Sequence, residues 1–299
     1  LTVVTPWVGP PVTWLRPFNR LLLGRYFKRG TGNSILISYL PTYNCLDIAS
    51  IIQPHALYYL CYHNFDADVV LPDVLRSEKE LIRKSRLLFA DAVFLVKRLE
   101  KMSGRTDIVH APPGVHFKDF YAAYRGDEVV APKKICFFGG AGRHLDLDVY
   151  NALAESFEVH FIANVADEIK GLLSPKIHIT SPVGHTELPG LLKSMDVLSI
   201  LYRRSDYIDG VIPAKFFECL ATGKPLLVSG LMEVLPYDGV IYDTANYPAK
   251  AISILSTLKT TFPERLNIQL RIASEADYEN RFIRFRDLIA KSLNAASEA

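Results

Sequence analysis

Lys215 and Glu218 lie three residues apart in the stretch Lys215-Phe-Phe-Glu-Cys-Leu-Ala-Thr-Gly-Lys-Pro225. On a helix that spacing sets an ammonium and a carboxylate on one face. Pro213 suits a first helical turn. The cation, the carboxylate and the unpaired amides of a helix start would together seat a ligand carrying both phosphate and hydroxyls. An ordinary surface Lys–Glu pair is the alternative. A second set is Gly139-Gly140-Ala141-Gly142-Arg143-His144, which follows a strand-like run. Its amides could face a phosphate at a helix start, with Arg143 adding charge. A tight ligand-free turn is the alternative, and Gly140-Ala-Gly142-Arg-His-Leu145 lacks the third glycine of a dinucleotide fingerprint. A third set, His63-Asn64-Phe65-Asp66-Ala67-Asp68, follows the apolar run at 56–62. Titratable side chains beyond the carboxyl end of a strand are candidates for proton transfer; otherwise they form a polar loop in which Asp66 or Asp68 caps the next helix. His110 and His116 are not singled out, and His144 reads as a turn residue. No HExxH or clustered carboxylates occur, so no metal site is expected.

These groups need elements to hold them. Strands are expected at 1–5, 34–40, 56–62 and 91–96, and a short strand plus turn at 108–116. Helices are expected at 14–28, 47–52, 75–89 and from 97. After a linker at 125–133 the alternation restarts, with strands at 134–138, 158–163, 177–179, 196–202, 226–228 and 239–242. Helices at 145–155, 165–173, 186–195, 246–258 and 263–295 complete it. Strand–helix alternation in two blocks predicts two parallel-sheet α/β domains.

Composition sets the bounds. The 299 residues are 49% hydrophobic and 22% charged, with a net charge of +2, which gives no general case for nucleic acid. No uninterrupted apolar run is long enough to span a bilayer. Cys45, Cys61, Cys136 and Cys219 are scattered, which favours buried reduced thiols and a cytoplasmic protein. The chain opens on Leu1 rather than Met. Charge is uneven: residues 1–30 hold Arg16, Arg20, Arg25, Lys28 and Arg29 and no acid. In the same segment Trp14, Phe18, Leu21, Leu22 and Tyr26 recur at helical spacing. That face suits an anionic membrane surface, or it packs on a sheet and leaves the arginines solvated.

The order of motifs in the second half resembles a known family. A glycine loop follows the first strand, Gly184-His-Thr-Glu-Leu-Pro189 precedes a helix, Met195-Asp-Val follows it, and Lys-Phe-Phe-Glu-Cys-Leu-Ala-Thr-Gly-Lys-Pro comes last. This is similar to the donor domain of GT-B glycosyltransferases of the bacterial cell-surface-polysaccharide type. Upstream, residues 87–96, Ala111-Pro-Pro-Gly-Val-His116 and Tyr58-Tyr-Leu-Cys-Tyr62 resemble that fold's acceptor domain. The resemblance implies two Rossmann-like domains facing a cleft: an acceptor-side domain at 1–127, a nucleotide-sugar-binding domain at 128–273, and a C-terminal helix at 274–299 crossing back. It also implies that the first domain is shortened at its start.

By the same resemblance Glu218 would bind the ribose hydroxyls. Lys215 and the amides of Gly139, Gly140 and Gly142, with Arg143, would meet the diphosphate. His185 would contact the base, and the 206–213 loop with Tyr207 and Ile212 would line the sugar and phosphate. His63 and Asp66, with Asp68, would be the candidate catalytic bases. The substrates would be a UDP-sugar, with no cofactor or metal, and a lipid-linked or growing glycan. No nucleic acid is expected, and the place would be the inner face of the cell membrane. Two departures stand out. Many relatives carry a second glutamate eight residues before the ribose-binding one, where this chain has Gly210. Relatives also tend to carry paired aspartates where it has His63 and Asn64. A catalytically silent nucleotide-sugar-binding scaffold, or an epimerase of the same architecture, are the other readings.

Overall fold

The computed structural model describes residues 3–30, 34–67, 73–126, 132–258 and 263–294. The chain divides into two compact units, Leu1–Pro112 with Arg284–Ala299, and Pro113–Ile283. The division falls earlier than the expected 127/128 boundary. Val115 donates its amide to the Ala276 carbonyl at 3.0 Å, and Tyr278 donates back to Val115 at 2.9 Å. These bonds and the burial of Phe120 hold the segment after Pro113 in the second unit.

The first unit runs α1 (Arg16–Tyr26), β1 (Ile35–Ser38), α2 (Tyr43–Ile52), β2 (Ala56–Cys61), α3 (Val74–Lys84), β3 (Leu87–Ala90), α4 (Val93–Ser103) and β4 (Ile108–His110). The strands pair in parallel in sequence order. The strand expected at 1–5 is not formed: residues 3–5 are irregular, and Leu1 and Thr2 lie outside the described residues. The strand expected at 91–96 is displaced to β3. Residues 87–90 and 92–96 are both apolar, and a short apolar run does not by itself distinguish strand from helix. Pairing of Tyr58 with Leu87 and Cys61 with Ala90 selects the first. Leu95 and Leu99, four apart, are then buried on one face of α4.

The second unit contains α5 (Phe117–Tyr121), β5 (Lys134–Ala141), α6 (Leu147–Leu153), β6 (Glu158–Val165), α7 (Asp167–Lys170), β7 (His178–Thr180), α8 (Leu188–Lys193) and β8 (Val197–Leu201). It continues through α9 (Asp206–Asp209), α10 (Lys215–Ala221), β9 (Leu226–Ser229), β10 (Tyr242–Asp243), α11 (Pro248–Thr257) and α12 (Pro263–Glu275). The sheet order is β10-β9-β8-β5-β6-β7, all parallel. Every residue of β8 and β9 is buried, as helices on both faces require. The order reverses between β5 and β8, and in such sheets ligands bind beyond the carboxyl ends of the strands at that switch point.

The single helix expected from 263 to 295 is two. It breaks at Ala276 and Asp277, where Asp277 bridges to Val115. The last helix, α13 (Tyr278–Asn294), begins in the second unit and ends in the first. There Phe285, Leu288, Ile289 and Leu293 pack on Ala56, Tyr58 and Phe89. The Tyr58 hydroxyl lies 2.7 Å from Ser292 Oγ. The four cysteines are free, and all but Cys45 are buried.

Candidate functional site

The site builds from the carboxyl end of β5. Ile135 to Phe138 are apolar and buried, as a central strand demands. Gly139 then takes φ +102°, a conformation that only glycine adopts without strain. A Cβ there would also lie 2.7 Å from Lys215 Nζ. Lys215, the first residue of α10, sends its ammonium back to this strand end. It donates to the Phe138 carbonyl at 2.6 Å and sits 4.2 Å from the centre of the Phe137 ring. Burial lowers its pKa to about 8, with Cys219 and Glu218 pulling weakly the other way. His144 lies beside the same ammonium. Burial lowers the pKa of its imidazole, and the Lys215 charge lowers it further. The ring stands edge-on to Tyr202, centroids 4.7 Å apart.

Glu218, one turn further along α10, points elsewhere. Its Oε1 is 3.1 Å from His185 Nε2, so Lys215 and Glu218 are not paired with each other but each commits to a different partner. His185 precedes α8 and is braced by aromatic edges. Phe120 is 4.9 Å away and His116 5.8 Å away, centroid to centroid. His116 in turn lies 4.7 Å from Tyr278. Burial, and then the Glu218 charge, raise the Tyr278 pKa. The Ala111-Pro-Pro-Gly-Val-His116 turn thus feeds His116 into this cluster.

The sequence places some of these groups and misses others. Gly139, Lys215, Glu218 and His185 stand at one strand-end region of one unit. The glycine run, however, does not open a helix. β5 continues through Gly139, Gly140 and Ala141, each paired to β6, and α6 starts only at Leu147. The expected seat of unpaired amides at α10 is also reduced, because Phe216 N and Phe217 N already donate to Pro213 and Ala214. Gly142 lies beside His144. Arg143 and Tyr207 are exposed, and Ile212 is buried, so its side chain belongs to packing. His144, His116 and Tyr278 were missed. Nothing in local spacing marks them, since each arrives through a loop or a distant helix.

Gly140 differs from its neighbour: a Cβ there would meet nothing within 4 Å. Valine at 140 is therefore expected to leave stability within about 0.5 kcal/mol. Thermal melting with and without nucleotide checks this. A large loss of stability in the ligand-free protein would remove the idea that this edge is bare.

In the first unit, His63 follows β2, its ring 4.9 Å from Phe65. Asp66, read as a candidate base, is instead held at two points by Arg98, at 2.8 and 3.1 Å. Arg98 also binds the fully buried Glu78, at 2.9 and 2.7 Å. Glu78 further accepts from the Tyr59 hydroxyl at 2.8 Å. Asp66 and Glu78 thus share one guanidinium. Asp68 lies outside the described residues. A cavity of about 560 Å³ lined by Ser50, His55, Lys84 and Arg86 sits at the amino end of β2, the opposite strand end from His63. Among the described residues no group of three or more His, Cys, Asp or Glu could hold a metal. Among the same residues no helix is long and apolar enough to cross a membrane.

No protein-family model matches the chain. A 173-residue stretch is 25% identical to TuaH of Bacillus subtilis (strain 168), to which glycosyltransferase activity in teichuronic acid biosynthesis is ascribed. The match covers 52% of this chain and 43% of that relative. Among solved structures, HepE of Anabaena in complex with UDP superposes with a TM-score of 0.63 at 13% identity, covering 95% of this chain and 84% of its own. The α,α-trehalose 6-phosphate synthase of Burkholderia multivorans gives 0.63 at 13% identity over 95% and 76%.

Proposed function

The chain has the GT-B fold, and we propose that it is a glycosyltransferase moving a sugar from a nucleotide-sugar to a hydroxyl of a lipid-linked or growing glycan. One observation carries the reading. An ammonium and a carboxylate, Lys215 and Glu218, are held by one helix at the switch point of the second sheet, next to the bare backbone of Gly139 and Gly140. Cations and amides meet a diphosphate, and a carboxylate accepts from a ribose diol. The donor is a UDP-sugar. HepE has been solved with UDP, with UDP and glucose, and with UDP-glucose, which supports that choice. His185 contacts Oε1 of Glu218, so a ribose diol shares the carboxylate with it or displaces it.

In the reaction, the acceptor oxygen forms a bond to the anomeric carbon as the bond from that carbon to the diphosphate oxygen breaks. Lys215 and the glycine backbone take up the charge developing on the leaving diphosphate, without a metal. The acceptor proton goes to a base. With Asp66 engaged by Arg98, His63 is the base we assign. Alanine at 63 should lower turnover by about 10²–10⁴-fold and leave nucleotide affinity unchanged. Rates and affinities from one preparation decide it. An unchanged rate would take the role away from His63.

The general test is a nucleotide-sugar panel read by thermal shift and by release of nucleoside diphosphate. A donor at about 100 times its Kd should add roughly 2.7 kcal/mol of stability. A flat panel would falsify the reading. The engaged Asp66 and the glycine at 210 favour one other reading, a silent nucleotide-sugar-binding scaffold. It predicts stabilisation with no turnover under any acceptor.

A further inference from the structure

Helix α1 leaves part of its apolar surface facing outward. Its fully buried residues are Asn19 and Leu23. Its inward side is fixed largely by polar contacts to α2: Arg16 to Asp47 at 2.9 Å, Asn19 to Asn44 at 3.3 Å and Arg20 to Ser50 at 3.2 Å. Trp14 in the preceding turn, Phe18 and Leu21 are left 79%, 56% and 66% exposed. At 100° per residue, positions 18 and 21 lie about 60° apart on α1, and Trp14 is in the turn that leads into it. Trp7, 86% exposed, lies shortly before it.

A contiguous exposed apolar stripe rimmed by polar residues marks an interaction surface. The charge around it names the partner. Residues 1–30 hold five Arg and Lys and no acid. Arg25, also on the stripe's arc, and Lys28 and Arg29 beyond the helix are exposed and form no ion pair among the described residues. An aromatic and aliphatic stripe flanked by uncompensated cations matches a bilayer surface, with apolar groups at the acyl boundary and cations among anionic headgroups. We propose that the face formed by Phe18 and Leu21 of α1 with Trp14 of the preceding turn docks the protein on an anionic membrane surface. Cations that serve only solubility would not be gathered beside an outward apolar stripe.

Flotation with phosphatidylcholine vesicles, with and without phosphatidylglycerol, tests this on the full chain. Binding is expected to the anionic vesicles and to fall with salt. Phe18→Ser with Leu21→Ser should weaken it by about tenfold or more, and Arg25→Gln with Lys28→Gln by about tenfold or more. All four positions are exposed, so the fold should persist. Stabilisation by UDP, which reads the second unit, and the unchanged far-ultraviolet circular dichroism of each variant check that. No binding to anionic vesicles, or binding indifferent to both pairs of substitutions, overturns the proposal. So does a dimer in solution that the serine variant dissociates while vesicles bind nothing. The inference goes beyond the transfer reaction and is read apart from it. A chain that floats but transfers no sugar loses the proposed activity and keeps the docking face, and the reverse outcome does the opposite.

Discussion

Methionine in place of Lys215 is expected to weaken nucleoside diphosphate binding by about 2–4 kcal/mol, 30- to 1000-fold in Kd to an order of magnitude. Methionine keeps most of the length and apolar bulk of the stem, so Phe137 and Phe138 lose little packing. What disappears is a half-buried ammonium already aimed at the strand end. The wild-type protein should also show a pH signature that the variant lacks. In the ligand-free fold the Lys215 pKa is lowered to about 8 from 10.5, chiefly by burial. Below about 8 the site is charged before the ligand arrives. Above it the amine is neutral, and a bound diphosphate must draw a proton back onto it. Affinity should therefore fall as pH rises through about 8, with proton uptake on binding. Titration calorimetry in buffers of different ionisation enthalpy measures that uptake. The stability of the ligand-free protein moves in the other direction. Between about 8 and 10.5 the unfolded chain binds the proton more tightly than the fold does, so the cost of burying this charge is relieved as pH rises. Equal proton uptake in wild type and Lys215→Met would sink the assignment.

Methionine at Arg98 should destabilise the first unit by about 3–5 kcal/mol, because removing one partner leaves a buried charge uncompensated. Glu78 is fully buried, and its remaining strong donor would be the Tyr59 hydroxyl. That loss is a large share of a typical domain's stability of about 5–15 kcal/mol. Changing Glu78 to glutamine as well should recover part of it, since the stranded charge is gone. Urea denaturation of the single and double variants measures the coupling. Stabilisation by UDP should survive in the single variant wherever the second unit stays folded, because Lys215 and Glu218 belong to that unit. Additive effects of the two substitutions would show that Arg98 acts as a packed side chain, not as a counter-ion.

These two residues also divide what is local from what is not. The two α/β blocks were legible because apolar runs and amphipathic stretches repeat over a few residues. Gly223 and Pro225 close α10 from sequence signals alone, and Leu226, Leu227 and Val228 follow as a buried strand. The residue types of the candidate site were legible for the same reason: Lys215 and Glu218 are one helical turn apart. The strand at 87–90 was misplaced because two adjacent apolar runs look alike until β2 chooses between them.

The chain's own letters determined that it would build two parallel sheets, and that a cation, a carboxylate and a glycine run would follow strands of the second. Tertiary structure decided what each group does. Lys215 meets a carbonyl 77 residues away, and Glu218 a histidine 33 residues away. Asp66 goes to Arg98, 32 residues on, a partner that local spacing did not show. An apolar stripe reads the same whether it will face a core or a bilayer, so the outward turn of Trp14, Phe18 and Leu21 was not in the spacing. Periodicity reports neighbours along one element. Partners are set by which elements pack together, and that depends on the burial of the whole chain.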